Sequence, residues 1–109
     1  MPLYFAYGVN ARLDHMERVC GHAEVVGSAV LPDHTTVKVH HHLYGVIEMA
    51  VDAPGEIVRG LLWQLPKECL AKLDRQESVP RVYRRTRREV AWVEHSRRVW
   101  ARAWVYVAP

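Results

Sequence analysis

The last predicted strand of this chain is apolar on both faces, and this feature constrains the fold more than any other. Over residues 97–107, small and aliphatic side chains occupy alternate positions, namely Val99, Ala101, Ala103, Val105 and Val107. The positions between them carry Trp100, Arg102, Trp104 and Tyr106. Successive side chains of a strand point to opposite faces of its sheet. We therefore expect both faces of this strand to be covered.

The N-terminal part of the chain predicts a strand, a helix and a second strand. Residues 3–6 are apolar and short, as in a buried strand. Asn10 is a good capping residue, so a helix is expected over 11–19. Residues 23–31 are expected to form a strand that bends or bulges at Gly27.

The middle of the chain predicts a hairpin and a second helix. Residues 35–42 alternate only weakly, whereas 45–51 form a clearer strand. The turn residues Ala53–Glu56 separate it from a returning strand at 57–65, so these two strands are expected to pair. A helix is expected over 66–76, with a proline at its first position.

Two long strands complete the sequence pattern. They cover about 82–93 and 97–107 and are joined by Glu94-His95-Ser96. The count is then six or seven strands and two short helices, mostly in antiparallel hairpins. We predict an α+β fold in one domain, residues 1–109, whose small curved sheet closes towards a barrel.

Composition restricts the class of protein. The chain has 109 residues, of which 50% are hydrophobic and 25% are charged, as in an ordinary globular domain. Cys20 and Cys69 are too few for a disulfide framework and are expected to be small buried side chains in helices. The start of the chain lacks the pattern of a signal peptide, and no run of about 20 apolar residues is present. We therefore expect a cytoplasmic protein without a membrane span.

Two features invite other functions, and neither is strong. The net charge of +3 comes largely from arginines late in the chain. These arginines fall on two predicted strands of a hairpin, where alternate positions normally face solvent. We therefore expect a solvated face rather than a nucleic-acid site. In His40-His41-His42, at most two rings can converge on one side of a strand. Two histidines alone form a weak site, so no metal is expected.

Two separated stretches carry most of the functional signal. Tyr4–Asn10 runs from a strand straight into a glycine turn, and Leu73–Tyr83 joins a helix end to a proline turn and a strand. Glycine lets the backbone approach a ligand closely and expose its N–H groups. Glu77, at the junction of helix and loop, is placed as a general base. Together the two stretches predict a cradle for a carboxylate or an oxyanion that faces a base.

The same residues resemble the γ-glutamylcyclotransferase-like superfamily, including its AIG2-like group. Members open with a strand and Tyr-Gly-Ser-Asn, and later carry Leu-Asp-x-x-Glu-Gly-x-Pro before a Tyr-Arg pair. The positions that match are Tyr7, Gly8, Val9, Asn10, Leu73, Asp74, Glu77, Pro80, Tyr83 and Arg84. The resemblance covers roughly residues 3 to 90 and implies a compact barrel with helices packed on it and a cavity at one end.

The resemblance also implies a reaction that needs no cofactor. A γ-glutamyl amine or γ-glutamyl amino acid would be converted to 5-oxoproline and a free amine. Glu77 is expected to move the proton as general base and then general acid. From local sequence alone, a solvated Glu77 or a partner for Arg75 or Arg81 is the alternative. Asp74 is expected to bind backbone or an arginine.

Substrate binding is expected from the two stretches together. Its candidates are Tyr7, Gly8, Val9, Asn10 and Tyr83. The backbone N–H groups of the glycine turn are expected to face the ligand. Tyr83 either hydrogen-bonds the substrate or Glu77, or is a core side chain.

The chain departs from the family pattern at two positions. Val9 stands where Ser is usual, and Ser78 stands where Gly is usual. If the Ser acts through its backbone N–H, Val9 changes little; if its hydroxyl binds substrate, specificity or activity changes. An alternative therefore stays open: a non-catalytic module of the same fold that holds a small ligand without turnover. The oligomeric state is left between monomer and homodimer.

Overall fold

The fold consists of five strands, two α-helices and a 3₁₀ turn. The computed structural model describes residues 1–109, apart from the side chain of Val9. The strands are β1 (Leu3–Ala6), β2 (Glu24–His41), β3 (Gly45–Gln64), β4 (Arg84–Glu94) and β5 (Arg97–Val107). The helices are α1 (Leu13–Val19) and α2 (Glu68–Gln76), and the 3₁₀ turn is Gly8–Ala11.

The strands form one strongly curved sheet that closes on itself. Their order is β1-β3-β2-β4-β5, and β5 returns to pair with β1 in parallel, Tyr4 opposite Trp104. The long pairings, β2 with β3 and β4 with β5, are antiparallel. The predicted class, a small and mostly antiparallel curved sheet with two short helices, is confirmed.

The count of six or seven strands is wrong, because β2 and β3 are each continuous. The expected hairpin between 45–51 and 57–65 does not exist; β3 pairs with β2 through residues 45–52 and again through residues 57–64. The register shifts between Pro32 and His34, where 53–56 form an outward excursion of β3. The N–H of Gly55 donates to Oδ1 of Asp33 at 2.9 Å and holds this bulge. The turn residues therefore bend both strands instead of reversing the chain.

The prediction that both faces of the last strand are covered holds only for its C-terminal half, since Trp100 is 51% exposed and Arg102 is also exposed. Val105 is fully buried within the barrel core, and Tyr106 is buried in a second cluster beneath the helices. The barrel cluster also contains Phe5 and Leu62, while the second contains Met16 and Leu73. Two cores on opposite sides of one sheet explain why no position from 103 to 107 is exposed.

The two cysteines are buried, as expected, but they are also bonded to each other. Cys20 ends α1 and Cys69 lies in the first turn of α2, and their Cα atoms are 5.8 Å apart. The sequence analysis missed this pair because only the packing of α1 beside α2 brings the two positions together. The bond closes a loop with a sequence separation of 49 and ties the helices that flank the candidate site.

Neither α-helix of the described chain is long and apolar enough to cross a bilayer.

Candidate functional site

Glu77 is presented by the end of α2. It is the C-cap residue, and the chain beyond it closes the helix with two backbone hydrogen bonds, Val79 N–H to Asp74 O at 3.0 Å and Ser78 N–H to Arg75 O at 3.2 Å. This pattern is a Schellman motif, in which the residue after the cap adopts a left-handed conformation. Ser78 has that conformation, with φ +52°. The motif turns the chain sharply and leaves the Glu77 side chain facing the barrel.

Asn10 does not cap a helix, contrary to the prediction. Arg12 occupies the N-cap position of α1 and makes no side-chain cap bond. The 3₁₀ turn Gly8–Ala11 comes first and carries the Asn10 side chain inward, where it is 3% exposed. A polar side chain this buried needs partners, and it finds them in the candidate site.

A hydrogen-bond network joins the two motifs that the sequence separates. Asn10 Nδ2 donates to Glu77 Oε1 at 2.5 Å and to Tyr4 Oη at 2.7 Å. Gln76 Nε2 donates to Asn10 Oδ1 at 2.7 Å, and His15 Nε2 lies 3.0 Å from Gln76 Oε1. The carboxylate of Glu77 is thereby fixed from the side of the N-terminal turn.

The network forms one wall of a cavity of about 460 Å³. The cavity is lined by the ends of β1, β3 and α2 and by the segment before β4. Its lining residues include Tyr4, Tyr7, Gly8, Asn10, Tyr44, Glu48, Glu77, Ser78, Tyr83 and Tyr106. Half a dozen polar groups therefore converge on a space large enough for a small substrate.

Burial raises the pKa of the Glu77 carboxyl above its ordinary value of 4.5. The hydrogen bonds from Asn10 and Gln76 and the charge of His15 act in the opposite direction but do not cancel it. A carboxylate with a raised pKa accepts and releases a proton closer to neutral pH. The site therefore contains one group suited to proton transfer.

The hydroxyls of Tyr7 and Tyr83 are used mainly within the fold. Tyr7 Oη donates to the carbonyl oxygen of Tyr106 and accepts from the N–H of Ala50 at 2.8 Å. Tyr83 Oη donates to the carbonyl oxygen of Glu48 at 2.7 Å. Both side chains line the cavity, so a ligand meets their rings beside hydroxyls that already have partners.

The residues named from sequence are brought together on this cavity. Glu77, Tyr7, Gly8, Asn10 and Tyr83 all line it. The side chain of Val9 lies outside the described part of the chain. Asp74 points elsewhere, receiving the hydroxyl of Tyr106 at 2.7 Å and pairing with Arg85 Nε at 2.8 Å.

Sequence reasoning missed several lining residues, among them His15, Tyr44, Glu48, Gln76 and Tyr106. Glu48 lies on β3, and it reaches the cavity only because the sheet closes on itself. The sequence alone could not show this. Gln76 differs from the others, because it immediately precedes Glu77 in the same motif. It could have been named from the sequence alone.

Among the described side chains, no group of three or more His, Cys, Asp or Glu is arranged to hold a metal ion. His41 and His42 stack on each other at the end of the β2–β3 hairpin, 4.7 Å between ring centroids.

Comparison with known families adds to this geometry. The sequence profile of the family described as Gamma-glutamyl cyclotransferase, AIG2-like, matches residues 4–109. The chain belongs to this family. Among curated protein sequences, none matches the chain significantly.

Solved structures share the fold of this family member. One described as a gamma-glutamyl cyclotransferase is 24% identical, with a TM-score of 0.78 over 98% of this chain and 69% of that one. An AIG2-like protein from Mus musculus is 21% identical, with a TM-score of 0.76 over 99% and 77%. An uncharacterized protein from Homo sapiens is 25% identical, with a TM-score of 0.77 over 97% and 68%. At these identities the likeness is one of fold.

Proposed function

We propose that this protein converts a γ-glutamyl amine or γ-glutamyl amino acid to 5-oxoproline and a free amine, with Glu77 as the general base and acid. One observation carries the proposal. The carboxylate of Glu77 lies in the cavity with a raised pKa and is held at 2.5 Å by Asn10, from the other family motif. Membership of the Gamma-glutamyl cyclotransferase, AIG2-like family supports the same reaction class.

The reaction is intramolecular and needs no added reagent. The α-amine of the γ-glutamyl group attacks its own γ-carbonyl carbon, forming the C–N bond of a five-membered ring. The amide C–N bond then breaks and releases the amine. Because nucleophile and electrophile belong to one molecule, much of the entropic cost of bringing them together is absent.

Glu77 would move one proton through this reaction. The α-amine is largely protonated near neutral pH and cannot attack until the ammonium loses a proton. Glu77 takes that proton and later delivers it to the leaving nitrogen, so the carboxylate is regenerated. The second proton that the attacking nitrogen loses on becoming the lactam N–H also passes to the departing amine, which leaves as an ammonium. The backbone N–H groups of Gly8, Val9 and Asn10 are our candidates for binding the substrate carboxylate or the developing oxyanion.

The test is the rate of 5-oxoproline release, measured by mass spectrometry on a panel of γ-glutamyl amines, γ-glutamyl dipeptides and glutathione. Glu77→Gln nearly preserves side-chain shape but cannot accept the proton. General acid–base assistance is typically worth about 10²–10⁴-fold, and we expect a loss of kcat in that range. Glu77→Asp should be intermediate, because the base remains but is one methylene shorter.

The matched control is Glu68→Gln, since Glu68 lies on the same helix but is exposed and outside the cavity. It should retain activity within a few-fold, and both variants should keep the wild-type melting behaviour at low pH. Turnover by Glu77→Gln within threefold of wild type would remove Glu77 as the base. Binding of the panel without release of 5-oxoproline would instead identify a non-catalytic ligand-binding module.

A further inference from the structure

A second carboxylate, Glu48, lies on the same cavity as Glu77. It is half-buried on β3, and its Oε1 is 3.9 Å from the position that a Cβ atom would take on Gly8. Glu48 also borders an adjoining groove of about 280 Å³, which is lined further by Thr35, Thr36 and Arg59. It therefore stands where the cavity opens outward beside the N-terminal turn.

The carboxylate of Glu48 forms no ion pair and accepts no hydrogen bond from the described residues. Two cations are its neighbours. Lys38 is opposite Glu48 in the β2–β3 register, and Arg59 shares the adjoining groove, but both side chains are exposed. A half-buried carboxylate without a protein partner is available to a ligand of opposite charge.

The two carboxylates act on the same part of the cavity. Burial raises the pKa of the Tyr83 hydroxyl to about 12, and the charges of Glu77 and Glu48 both add to this effect. The same two charges contribute to the raised pKa of Tyr7. Both tyrosines and both carboxylates line this one cavity, so a single bound molecule can contact Glu77 and Glu48 together.

The depth of the cavity gives that molecule a direction. Its inner end is formed by buried side chains, Tyr4, Asn10 and Tyr106, close to Glu77. Its mouth is formed by exposed residues, including Tyr44 and Val46. If the γ-glutamyl head is at the inner end, as the proposed function requires, the leaving group extends towards the mouth and passes Glu48.

We propose that Glu48 is a specificity-determining residue that selects γ-glutamyl substrates whose leaving amine carries an additional positive charge. This inference rests on the proposed function for the position of the γ-glutamyl head. Glu48 attracts a distal ammonium and repels a distal carboxylate, whereas it is indifferent to a neutral chain. Among the residues that line the main cavity, none is a lysine or an arginine that would reverse this preference.

The test uses three substrates with leaving groups of matched length: the mono-γ-glutamyl amides of 1,4-diaminobutane, pentylamine and 4-aminobutyrate. Their distal groups are cationic, neutral and anionic. We expect kcat/KM of the wild type to fall in that order. Glu48→Gln should lower kcat/KM for the cationic substrate about tenfold and raise it for the anionic one, as expected when one partly solvated charge is removed. The neutral substrate should change less than about twofold, which reports an intact fold and active site.

The Glu68→Gln protein is the control for loss of any acidic residue and should keep the wild-type order. Equal loss on all three substrates in Glu48→Gln would overturn the proposal, because Glu48 would then serve the common γ-glutamyl head or the fold. If the wild type prefers the anionic substrate and Arg59→Gln loses that preference, the proposal is overturned. Arg59, and not Glu48, would then determine which charge the leaving group carries.

Calorimetric Kd values for the same three compounds separate this inference from the proposed function. If none is turned over, the proposed reaction fails. The order of the three Kd values and their response to Glu48→Gln then still decide the role of Glu48: tighter binding of the cationic compound, lost in the variant, supports it, and equal binding of all three overturns it.

Discussion

The side-chain amide of Asn10 donates a 2.5 Å hydrogen bond to Oε1 of Glu77, across a sequence separation of 67 residues. One partner is carried by the 3₁₀ turn after β1 and the other by the end of α2. Asn10 is buried and also bonds Tyr4, so its amide cannot turn away without leaving buried partners unsatisfied. The carboxylate is therefore held by the fold, and its proton affinity depends on a residue from the other motif.

Removal of this amide should shift the pH dependence of catalysis. The Asn10 hydrogen bond lowers the pKa of Glu77, in opposition to burial. In Asn10→Ala that pKa should rise, and the acid limb of the kcat/KM profile should move to higher pH, so the variant loses more activity at acidic than at alkaline pH. Loss of a buried hydrogen-bond partner should also cost about 1–3 kcal/mol in unfolding free energy.

The control for Asn10→Ala is Gln76→Ala. Gln76 donates to Glu77 Oε1 at a longer distance, 3.3 Å, and its side chain is exposed. The acid limb of the kcat/KM profile should therefore move less in Gln76→Ala than in Asn10→Ala. An identical pH profile in Asn10→Ala and wild type would mean that Asn10 does not tune the base.

Glu77→Gln should stabilise the protein at neutral pH while removing its activity. The folded-state pKa of Glu77 is raised by burial, so the stability tied to this carboxyl is full below its unfolded pKa and is lost as pH rises through the folded pKa. Gln is neutral throughout and avoids this loss. The difference in Tm, variant minus wild type, should therefore grow as the pH rises above the ordinary carboxyl pKa of 4.5 towards neutrality.

Thermal melts across that range measure the difference, and Glu68→Gln gives the baseline for an exposed glutamate. A difference that shrinks towards neutral pH would show that ionised Glu77 stabilises the fold, contrary to its raised pKa.

The elements that could be predicted are those in which apolar residues recur with the spacing of a strand or a helix. β1, α2 and the pair β4–β5 follow apolar patterns that need no tertiary information, and their bounds lie within two residues of the prediction. The prediction divided β3 into two strands because Pro54-Gly55 is the usual signal for a chain reversal. In the barrel this segment bulges opposite Asp33, where β2 and β3 bend together.

The site residues differ in the same way: some belong to local sequence motifs, and others reach the cavity only through the tertiary structure. Glu77, Gly8 and Asn10 belong to short local motifs, so they could be named from the sequence as residues of one site, and all three line the cavity. Glu48 was not among the residues named from the sequence, because its place on the cavity depends on how β3 curves past the N-terminal turn. The Cys20–Cys69 bond was missed for a similar reason, since its partners meet only when α1 and α2 pack.

The left-handed conformation of Ser78 should limit stability. A side chain at φ +52° costs about 1–2 kcal/mol, which Gly does not pay. Ser78 Oγ also lies 3.1 Å from Tyr44 Oη, an exposed contact that both Ser78→Gly and Ser78→Ala remove. The two variants therefore differ mainly in backbone strain. We expect the free energy of unfolding, measured in urea, to be about 1 kcal/mol higher for Ser78→Gly than for Ser78→Ala. Equal stabilities would contradict the Schellman geometry at the end of α2.

At Gly60, β3 lies very close to the backbone of β1. A Cβ atom there would overlap the carbonyl oxygen of Ala6 and lie 2.8 Å from Cζ of Phe5, both fully buried. Neither neighbour can move without displacing β1, the strand that leads into the Gly8 turn. Gly60→Ala should therefore cost more than about 3 kcal/mol in unfolding free energy and should also lower kcat, since the turn shifts with the strand.

The matched control is Gly55→Ala, on the same strand. Gly55 has φ +85°, but no heavy atom lies within 4 Å of a Cβ placed there. Its cost should be backbone strain alone, about 1–2 kcal/mol, with kcat unchanged because the bulge is remote from the cavity lining. Urea unfolding and 5-oxoproline release on both variants separate steric overlap from backbone strain. If Gly60→Ala costs no more than Gly55→Ala, β1 does not pack against β3 as closely as described, and the N-terminal turn is not positioned by that contact.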